Sequence, residues 1–179
     1  MVYLFLADGF EDIEALATVD ILRRAGILVK TVGIGGKEIL SAHKVLVNAD
    51  ILEKDVVLDE EIQAVILPGG GLGTENLDES DTVKNAVKYC YDNNKYICAI
   101  CAAPSVIGKM GLLSGKCAVC YPGFEEYLYN AKVSESNVCE DGIFITGKGP
   151  GCTFDFAFSI VSKLKSEKTA DSIKAAMQC

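Results

Sequence analysis

The stretch YICAICAAP (Tyr96–Pro104) joins an apolar run of strand-forming residues to small residues and a proline that can open a helix. One residue, Cys101, stands where the strand would end. A sharp strand-to-helix turn of this kind is typical of an enzyme nucleophile, and small neighbours leave room for it. A thiol at a helix N-terminus also has its pKa lowered by the helix dipole. We therefore predict a reactive thiolate at Cys101, and the alternative is a buried core cysteine.

Short apolar runs alternate with helical patterns on both sides of this stretch. The predicted strands are Val2–Leu6, Leu28–Ile34, Ala64–Leu67, Tyr96–Ile100, Cys117–Tyr121 and Ile143–Thr146, with short extended pieces around Val45–Val47 and Ile51. The predicted helices run from Phe10 to Ala25, from about Ser80 to Asp92 and from about Ala102 to Met110, and two more follow Thr153 and Thr169. Continuous apolar strands that alternate with helices indicate a mostly parallel sheet covered on both faces. We therefore predict a single α/β domain over residues 1–179.

Three loops follow strands at the same edge of this sheet: Asp8–Glu14, Pro68–Gly73 and Cys101–Pro104. In parallel sheets ligands bind at the carboxyl ends of the strands. The glycine-rich loop lacks the third glycine of a dinucleotide fingerprint, because Thr74 stands there. Its amides either face a developing negative charge or form a plain tight turn.

Two acidic residues, Glu11 and Glu14, begin the first helix. The helical periodicity puts Glu14 near the edge of the apolar face and Glu11 closer to solvent. A carboxyl kept neutral by burial could donate a hydrogen bond to the sulfur of Cys101 and then shuttle a proton. The alternative is that both are ordinary acids favoured at a helix N-terminus.

The composition narrows the classes of partner and location. Half of the 179 residues are apolar, the mean hydropathy is +0.26 and the net charge is −8. An acidic chain is a poor match for nucleic acid or an anionic membrane surface. No apolar run approaches the ~18–20 residues that span a bilayer. Because the apolar start of the chain lacks a basic flank, we expect no export signal, a cytoplasmic location and eight cysteines that remain thiols.

Two Cys-x2-Cys pairs, Cys98/Cys101 and Cys117/Cys120, have a separation that is found in tetrathiolate zinc sites. The residues inside each pair are strand-like, however, and side chains three apart on a strand point to opposite faces. We therefore predict no metal site. A redox couple between Cys98 and Cys101 is also disfavoured, because Cys98 lies a strand's length before the helix.

The order and spacing of several short motifs resemble the ThiJ/PfpI superfamily, most closely its branch of parkinsonism-associated protein deglycases. The matching stretches are ADGFEDIE (7–14), RRAGI (23–27), LPGG (67–70), LG (72–73), NL (76–77), AICAAP (99–104), GPG (149–151) and Phe154. The resemblance implies a flavodoxin-like three-layer sandwich, a homodimer and no cofactor. It also implies that Cys101 is a nucleophile and redox-sensitive thiol, that Glu14 is its carboxyl partner, and that the amides of Gly70 and Ala102 bind an oxyanion.

The sequence departs from the family pattern in two places. Tyr121 stands where the family often has a histidine, and a phenol that titrates near ~10 is a poor base at neutral pH. Glu14 would then carry the proton transfers alone. Ala102 stands where protease relatives have a histidine after the nucleophile, which disfavours proteolysis. The single histidine, His43, aligns with a basic residue that reaches the site from the partner subunit in relatives; a surface or packing role is the alternative.

The resemblance implies a cofactor-independent cysteine enzyme that acts on small reactive carbonyls such as methylglyoxal, or that removes glyoxal adducts from proteins. The residues alone support an activated thiol with a carboxyl partner. The alternative, from a different class, is a redox sensor or oxidative-stress chaperone in which Cys101 is oxidised to a sulfenic or sulfinic acid.

Overall fold

The computed structural model describes residues 1–179, and eleven strands and six α-helices follow one another along the chain. The strands are β1 Val2–Leu6, β2 Val29–Gly33, β3 Glu38–Leu40, β4 Leu46–Asn48, β5 Ile51–Leu52, β6 Ala64–Leu67, β7 Tyr96–Ile100, β8 Cys117–Ala118, β9 Lys132–Val133, β10 Val138–Asp141 and β11 Phe144–Gly147. The helices are α1 Asp12–Arg24, α2 Gly71–Glu79, α3 Asp81–Asp92, α4 Pro104–Lys109, α5 Thr153–Leu164 and α6 Glu167–Met177.

Seven strands form the central sheet in the order β10-β11-β7-β6-β1-β2-β5. Every neighbouring pair is parallel except β10 and β11. The five long parallel strands therefore lie in the order second, first, third, fourth, fifth along the chain, which is the flavodoxin-like order. The predicted α/β fold with a mostly parallel sheet is confirmed. The strand order reverses between β1 and β6, so the loops after these two strands lie side by side at the edge where ligands bind.

The sheet divides two apolar layers. Alternate residues of β1 point to opposite faces, and all five of its side chains are buried. One layer packs the sheet against α1 and α5, and the other packs it against α3 and α4. This burial explains why the strands read as continuous apolar runs rather than as alternating ones.

Several boundaries differ from the predictions. The stretch predicted as a loop to Gly73 contains the start of α2, which begins at Gly71. Glycine disfavours helices, but α2 packs so closely on the loop after β1 that a Cβ at Gly73 would lie 2.7 Å from the Cα of Phe10. Tertiary packing therefore outweighs propensity. The strand predicted at Cys117–Tyr121 has only two residues, and the antiparallel edge strand β10 was not predicted.

No helix of the structure combines the length and the apolar composition that a bilayer crossing needs.

Candidate active site

Cys101 lies in the turn between β7 and α4, and its backbone has φ +65°. A residue other than glycine is strained in this left-handed region, and such strain is often found at functional sites. Two backbone hydrogen bonds hold the turn: the Cys101 amide donates to the Gly147 carbonyl at 2.9 Å, and the Tyr121 amide donates to the Cys101 carbonyl at 2.7 Å. The predicted sharp turn is therefore present, with a side chain that is 8% exposed.

Glu14 lies on the first turn of α1 and is completely buried. The Gly69 amide donates a hydrogen bond of 2.7 Å to its Oε2 atom. Its Oε1 atom has no partner of good hydrogen-bond geometry, and the Cys101 thiol lies close enough to the carboxyl to influence its pKa. Glu14 therefore lies deeper than the edge of the apolar face where the periodicity put it.

Glu11 is also buried, with 8% of its surface exposed, and it lies before the first residue of α1. Its Oε2 atom accepts a hydrogen bond of 2.8 Å from the Glu14 amide, which makes it the N-cap of the helix. Glu11 thus fixes the turn from which Glu14 projects. The two acids therefore have different roles: Glu11 caps the helix, and Glu14 lies beside the thiol of Cys101.

Gly69 lies between the two predicted site residues, Cys101 and Glu14, although no separate role was predicted for it. A Cβ atom at this position would lie 2.6 Å from the Cβ of Cys101 and 2.7 Å from Oε2 of Glu14. Real Cβ atoms do not approach so closely, so only glycine fits between the thiol and the carboxyl. The signal available in the sequence was the run of three glycines after β6, which did not indicate which of them touches the pair.

The amides of Gly70 and Ala102 lie close enough to the Cys101 sulfur to act against the rise of its pKa, which favours the thiolate. Gly70 has φ +91°, and a Cβ atom there would lie 2.2 Å from the carbonyl oxygen of Gly9. Glycine is therefore required for the backbone conformation of the loop after β6. The structure brings together four of the six predicted site residues: Cys101, Glu14, Gly70 and Ala102.

The pKa values of the thiol and the carboxyl both lie above their usual ranges. Burial raises the pKa of Glu14 to about 7, although the hydrogen bond from Gly69 and the nearby Cys101 thiol act in the opposite direction. Burial likewise raises the pKa of the Cys101 thiol to about 12, the charge of Glu14 adds to the rise, and the amides of Gly70 and Ala102 oppose it. The expected lowering of the pKa of Cys101 by a helix dipole is therefore wrong.

The physical reason lies in the position of the helix and of the carboxyl. α4 begins only at Pro104 and has six residues, so its dipole acts weakly on Cys101. Two buried groups that repel when both are charged share one negative charge over a wide pH range. Between these two pKa values, above about pH 7, the pair carries one proton, held either by the sulfur of Cys101 or by the carboxyl of Glu14.

Tyr121 and His43, the other two predicted residues, are not part of this cluster. Tyr121 is 46% exposed, and its contact with Cys101 is the backbone hydrogen bond described above. His43 lies on the hairpin between β3 and β4 with an exposed side chain, and its Nδ1 atom is 2.7 Å from Oδ2 of Asp12. Within one chain, His43 thus ties the hairpin to the start of α1.

A cavity of about 430 Å³ opens beside Tyr121. Its walls are formed by Tyr121, Pro122, Asn137, Lys148, Gly149, Pro150, Gly151 and Cys152. Tyr121 and the end of β11 also supply the two backbone groups that hold the turn of Cys101. The cavity therefore adjoins the residues that hold the turn, but neither Cys101 nor Glu14 lines it.

The four cysteines with zinc-like spacing do not converge. Cys98 is fully buried, and Cys117 lies against Cys139 rather than against Cys120. The residues close enough to share a cation are Glu11, Asp12 and His43. The Asp12 carboxyl already accepts hydrogen bonds from Ser41 and His43, and Glu11 caps α1.

The sequence profile of the DJ-1/PfpI family matches residues 1–163. The Danio rerio protein named Parkinson disease protein 7 homolog is 36% identical over 176 residues, which cover 96% of this chain and 93% of that protein. A Pyrococcus abyssi protein named as a deglycase is 28% identical over 166 residues, which cover 92% of this chain and 99% of that protein. The solved structure of oxidized Toxoplasma gondii DJ-1 has a TM-score of 0.94 and 31% identity, and the match covers 99% of this chain and 97% of that one.

Proposed function

The chain belongs to the DJ-1/PfpI family, and on that premise we propose that it is a cofactor-independent cysteine enzyme that acts on reactive carbonyls. The substrate would be a small aldehyde such as methylglyoxal, or a glyoxal adduct on a protein. The observation that carries this proposal is the fully buried Glu14 carboxyl next to Cys101, with Gly69 between them. A relative named as a deglycase supports enzymatic activity in the family.

The first chemical step uses the single proton of the pair. Glu14 takes the thiol proton, and the Cys101 thiolate attacks the aldehyde carbon, so that a C–S bond forms and the carbonyl oxygen becomes negative. The amides of Gly70 and Ala102 would stabilise the thiolate and then donate to this oxyanion as the carbonyl oxygen takes up the negative charge. A carboxyl with a pKa of about 7 is suited to accept and return a proton near neutral pH.

The later steps return the enzyme to its starting state. Glu14 protonates the oxyanion to give a hemithioacetal. It then moves a proton from the former aldehyde carbon to the adjacent ketone carbon of methylglyoxal, which gives a thioester of lactate. Water hydrolyses the C–S bond, releases lactate and restores the thiol. The sum is methylglyoxal plus water to lactic acid, without external oxidant or reductant. Removal of a glyoxal adduct would follow the same chemistry on a tethered substrate.

The experiment is a comparison of methylglyoxal turnover by the wild type and by Cys101→Ala. We expect the variant to lose at least about 100-fold in kcat/KM, since it lacks the attacking atom. Cys179→Ala is the matched control, because Cys179 is exposed at the end of α6, and it should keep full activity. Equal rates for wild type and Cys101→Ala would refute the proposal.

A redox sensor is a second candidate, supported by a specific observation. The similar Toxoplasma gondii structure is an oxidized form, and a protonated Glu14 could donate a hydrogen bond to an oxidised Cys101 sulfur. Intact mass after mild peroxide treatment separates the two functions. Selective gain of two oxygens at Cys101 together with negligible methylglyoxal turnover favours the sensor, whereas turnover that Cys101→Ala abolishes favours the enzyme.

Further parts of the proposal concern the assembly and its surroundings. We propose a homodimer in the cytoplasm that binds neither nucleic acid nor membrane. In such a dimer His43, exposed on its hairpin, would reach the site of the partner subunit only by leaving Asp12. Tyr121 would line the substrate approach as a hydrogen-bond donor rather than as a base.

A further inference from the structure

Two cysteines outside the proposed active site lie against each other. The Sγ atoms of Cys117 on β8 and Cys139 on β10 are 2.8 Å apart. A disulfide bond measures ~2.05 Å, so the two sulfurs need to approach by only about 0.8 Å to bond. Neither residue belongs to the Cys101 turn or contacts Glu14, and the proposed mechanism uses neither.

The backbone around the two sulfurs is held in place by side chains of the neighbouring strands. The Cys117 amide donates to Oδ2 of Asp141 at 2.9 Å. Two residues on, the Val119 amide donates to Oγ1 of Thr146 at 2.9 Å, and this hydroxyl lies 3.4 Å from the Cys139 carbonyl oxygen. β8 is therefore fixed beside β10 although it is not a strand of the central sheet. Preorganised thiols lose little conformational freedom when they bond, which favours the disulfide.

The two thiols differ in their access to solvent. Cys139 is 7% exposed, whereas Cys117 is half-buried. Burial raises the pKa of the Cys139 thiol to about 12, and the neighbouring Cys117 adds to the rise. An oxidant from solvent therefore reacts with Cys117 first. Cys139 lies deeper and remains a protonated thiol at neutral pH. Cys98 and Cys90, by contrast, are fully buried.

We propose that Cys117 and Cys139 form a reversible thiol–disulfide couple that hydroperoxides oxidise, separate from the Cys101 site. The Cys117 sulfur attacks the hydroperoxide, becomes a sulfenic acid and releases an alcohol, or water when the oxidant is hydrogen peroxide. The Cys139 sulfur then attacks the sulfenic acid, so that the S–S bond forms and water leaves. In total the two thiols lose two protons and two electrons, which reduce one hydroperoxide to an alcohol and water. A dithiol reductant reverses the change by thiol–disulfide exchange.

The two cysteines lie close, along the chain, to a residue that holds the Cys101 turn. The segment that follows β8 leads within four residues to Tyr121, whose amide holds the Cys101 carbonyl. A bond from Cys117 to Cys139 would tether the start of this segment to β10. Oxidation should therefore raise the midpoint temperature of unfolding, by on the order of 5 °C, because it closes a loop in the unfolded chain.

Peptide mapping without reduction tests the couple directly. Reduced Cys101→Ala protein is freed of reductant, treated with hydrogen peroxide, alkylated and digested with trypsin. Trypsin releases a peptide 117–132, which contains Cys117 and Cys120, and a peptide 133–148, in which Cys139 is the single cysteine. We expect a linked species with the summed mass of the two peptides less two hydrogens, and we expect dithiothreitol to abolish it.

Two variants assign the bond. Cys120→Ser is the matched control on the same peptide and should still give the linked species, whereas Cys117→Ser should not. Recovery of Cys117 and Cys139 as alkylated thiols, under conditions that oxidise Cys101 in the wild type, would overturn the proposal. A link through Cys120 would overturn it as well. Because Cys101 is absent from the tested protein, the outcome is independent of the proposed enzymatic function.

Discussion

At the scale of single residues, Gly69 gives the sharpest test of the geometry between the thiol and the carboxyl. In Gly69→Ala the new Cβ would lie 2.6 Å from the Cβ of Cys101 and 2.7 Å from Oε2 of Glu14, so the pair must separate. We expect a loss of at least about 100-fold in kcat/KM, because misplaced catalytic groups lose orientation. Methylglyoxal kinetics measure the loss.

Gly71→Ala is the matched control for this substitution. A Cβ atom at Gly71 meets nothing within 4 Å, and the residue begins α2, where alanine is a better helix former than glycine. This variant should keep wild-type activity and equal or exceed wild-type stability. Similar losses in the two variants would show that the glycine loop is merely sensitive to bulk, and that the contact between Gly69 and the pair has no special importance.

The buried Glu14 carboxyl also predicts how stability depends on pH. Its pKa rises from a usual value of 4.5 to about 7 on folding, so the folded chain holds this proton more tightly than the unfolded chain. The resulting stabilisation is complete below pH 4.5 and is lost as the pH rises through about 7. Over this window the wild type should lose up to about 3 kcal/mol of unfolding free energy from this one group.

Glu14→Gln removes this titration, since the amide side chain stays neutral. The difference in unfolding free energy between Glu14→Gln and the wild type should therefore change across the window and level off on both sides of it, as measured by urea denaturation. Glu75→Gln, an exposed position on α2, is the control and should track the wild type. A difference that does not depend on pH would contradict a raised pKa at Glu14.

The sequence predicted the proximity of Cys101 and Glu14 better than their electrostatics. Strand-to-helix position indicated Cys101, and the family resemblance, together with the helical periodicity, indicated Glu14; their catalytic roles stay a prediction. The predicted direction of the Cys101 pKa shift was wrong, because this shift depends on how deeply the Glu14 carboxyl is buried and on the residue at which α4 begins. Both follow from tertiary packing, which a motif does not specify. Gly69 could not be separated from its neighbours for the same reason.

At the scale of elements, the hairpin of β3 and β4 is attached to α1 through Asp12. Burial opposes ionisation of this carboxyl, but hydrogen bonds from Ser41 and His43 outweigh it and lower its pKa. In Asp12→Ala both partners lose their acceptor. We expect a loss of about 1–2 kcal/mol in unfolding free energy. We also expect faster hydrogen exchange at the hairpin amides that the contact with α1 protects in the wild type.

Asp20→Ala is the comparison on the same helix. Asp20 forms an exposed ion pair with Arg24, one turn further along α1, and such pairs contribute at most about 0.5 kcal/mol. Its substitution should leave exchange in the hairpin unchanged. If both variants lose the same unfolding free energy and neither changes hydrogen exchange in the hairpin, Asp12 is an ordinary surface acid. Its contact with His43 then does not stabilise the hairpin.

The elements show where sequence patterns reach their limit. Long apolar runs and clear periodicity placed the five parallel strands and the helices α1 and α3 within one or two residues. α2 was missed because its glycines disfavour a helix, and they are present because α2 packs on the loop after β1. β10 was missed because its four residues carry little apolar signal, and pairing with β11 is what makes them a strand.

At the scale of the whole molecule, α1 and α5 leave apolar side chains exposed. Ile13 is 52% exposed, Leu16 38% and Phe154 44%, and Ile13 and Phe154 line one groove. A contiguous exposed apolar surface is typical of a protein–protein interface. Since the family resemblance implies a homodimer, we expect this face to join two copies.

Phe154→Lys places a charge in the expected interface and should convert a dimer into a monomer in light scattering coupled to size exclusion. Leu28→Lys is the control, because Leu28 is 62% exposed and precedes β2 rather than lying on α1 or α5; it should stay dimeric. A wild-type chain that is monomeric at all concentrations, or a Phe154→Lys variant that remains dimeric, would contradict this assembly.

The central claim is that Cys101 and Glu14 act as one pair that shares a proton, and the pH dependence of Cys101 alkylation tests it most directly. In the wild type the rate should rise as the pair becomes singly charged and reach a plateau above about pH 7, the pKa of Glu14. In Glu14→Gln no base accepts the thiol proton, so the rate at pH 7 should fall at least about 10-fold and keep rising into the alkaline range. Superimposable profiles for the two proteins would show that Glu14 does not control the thiol.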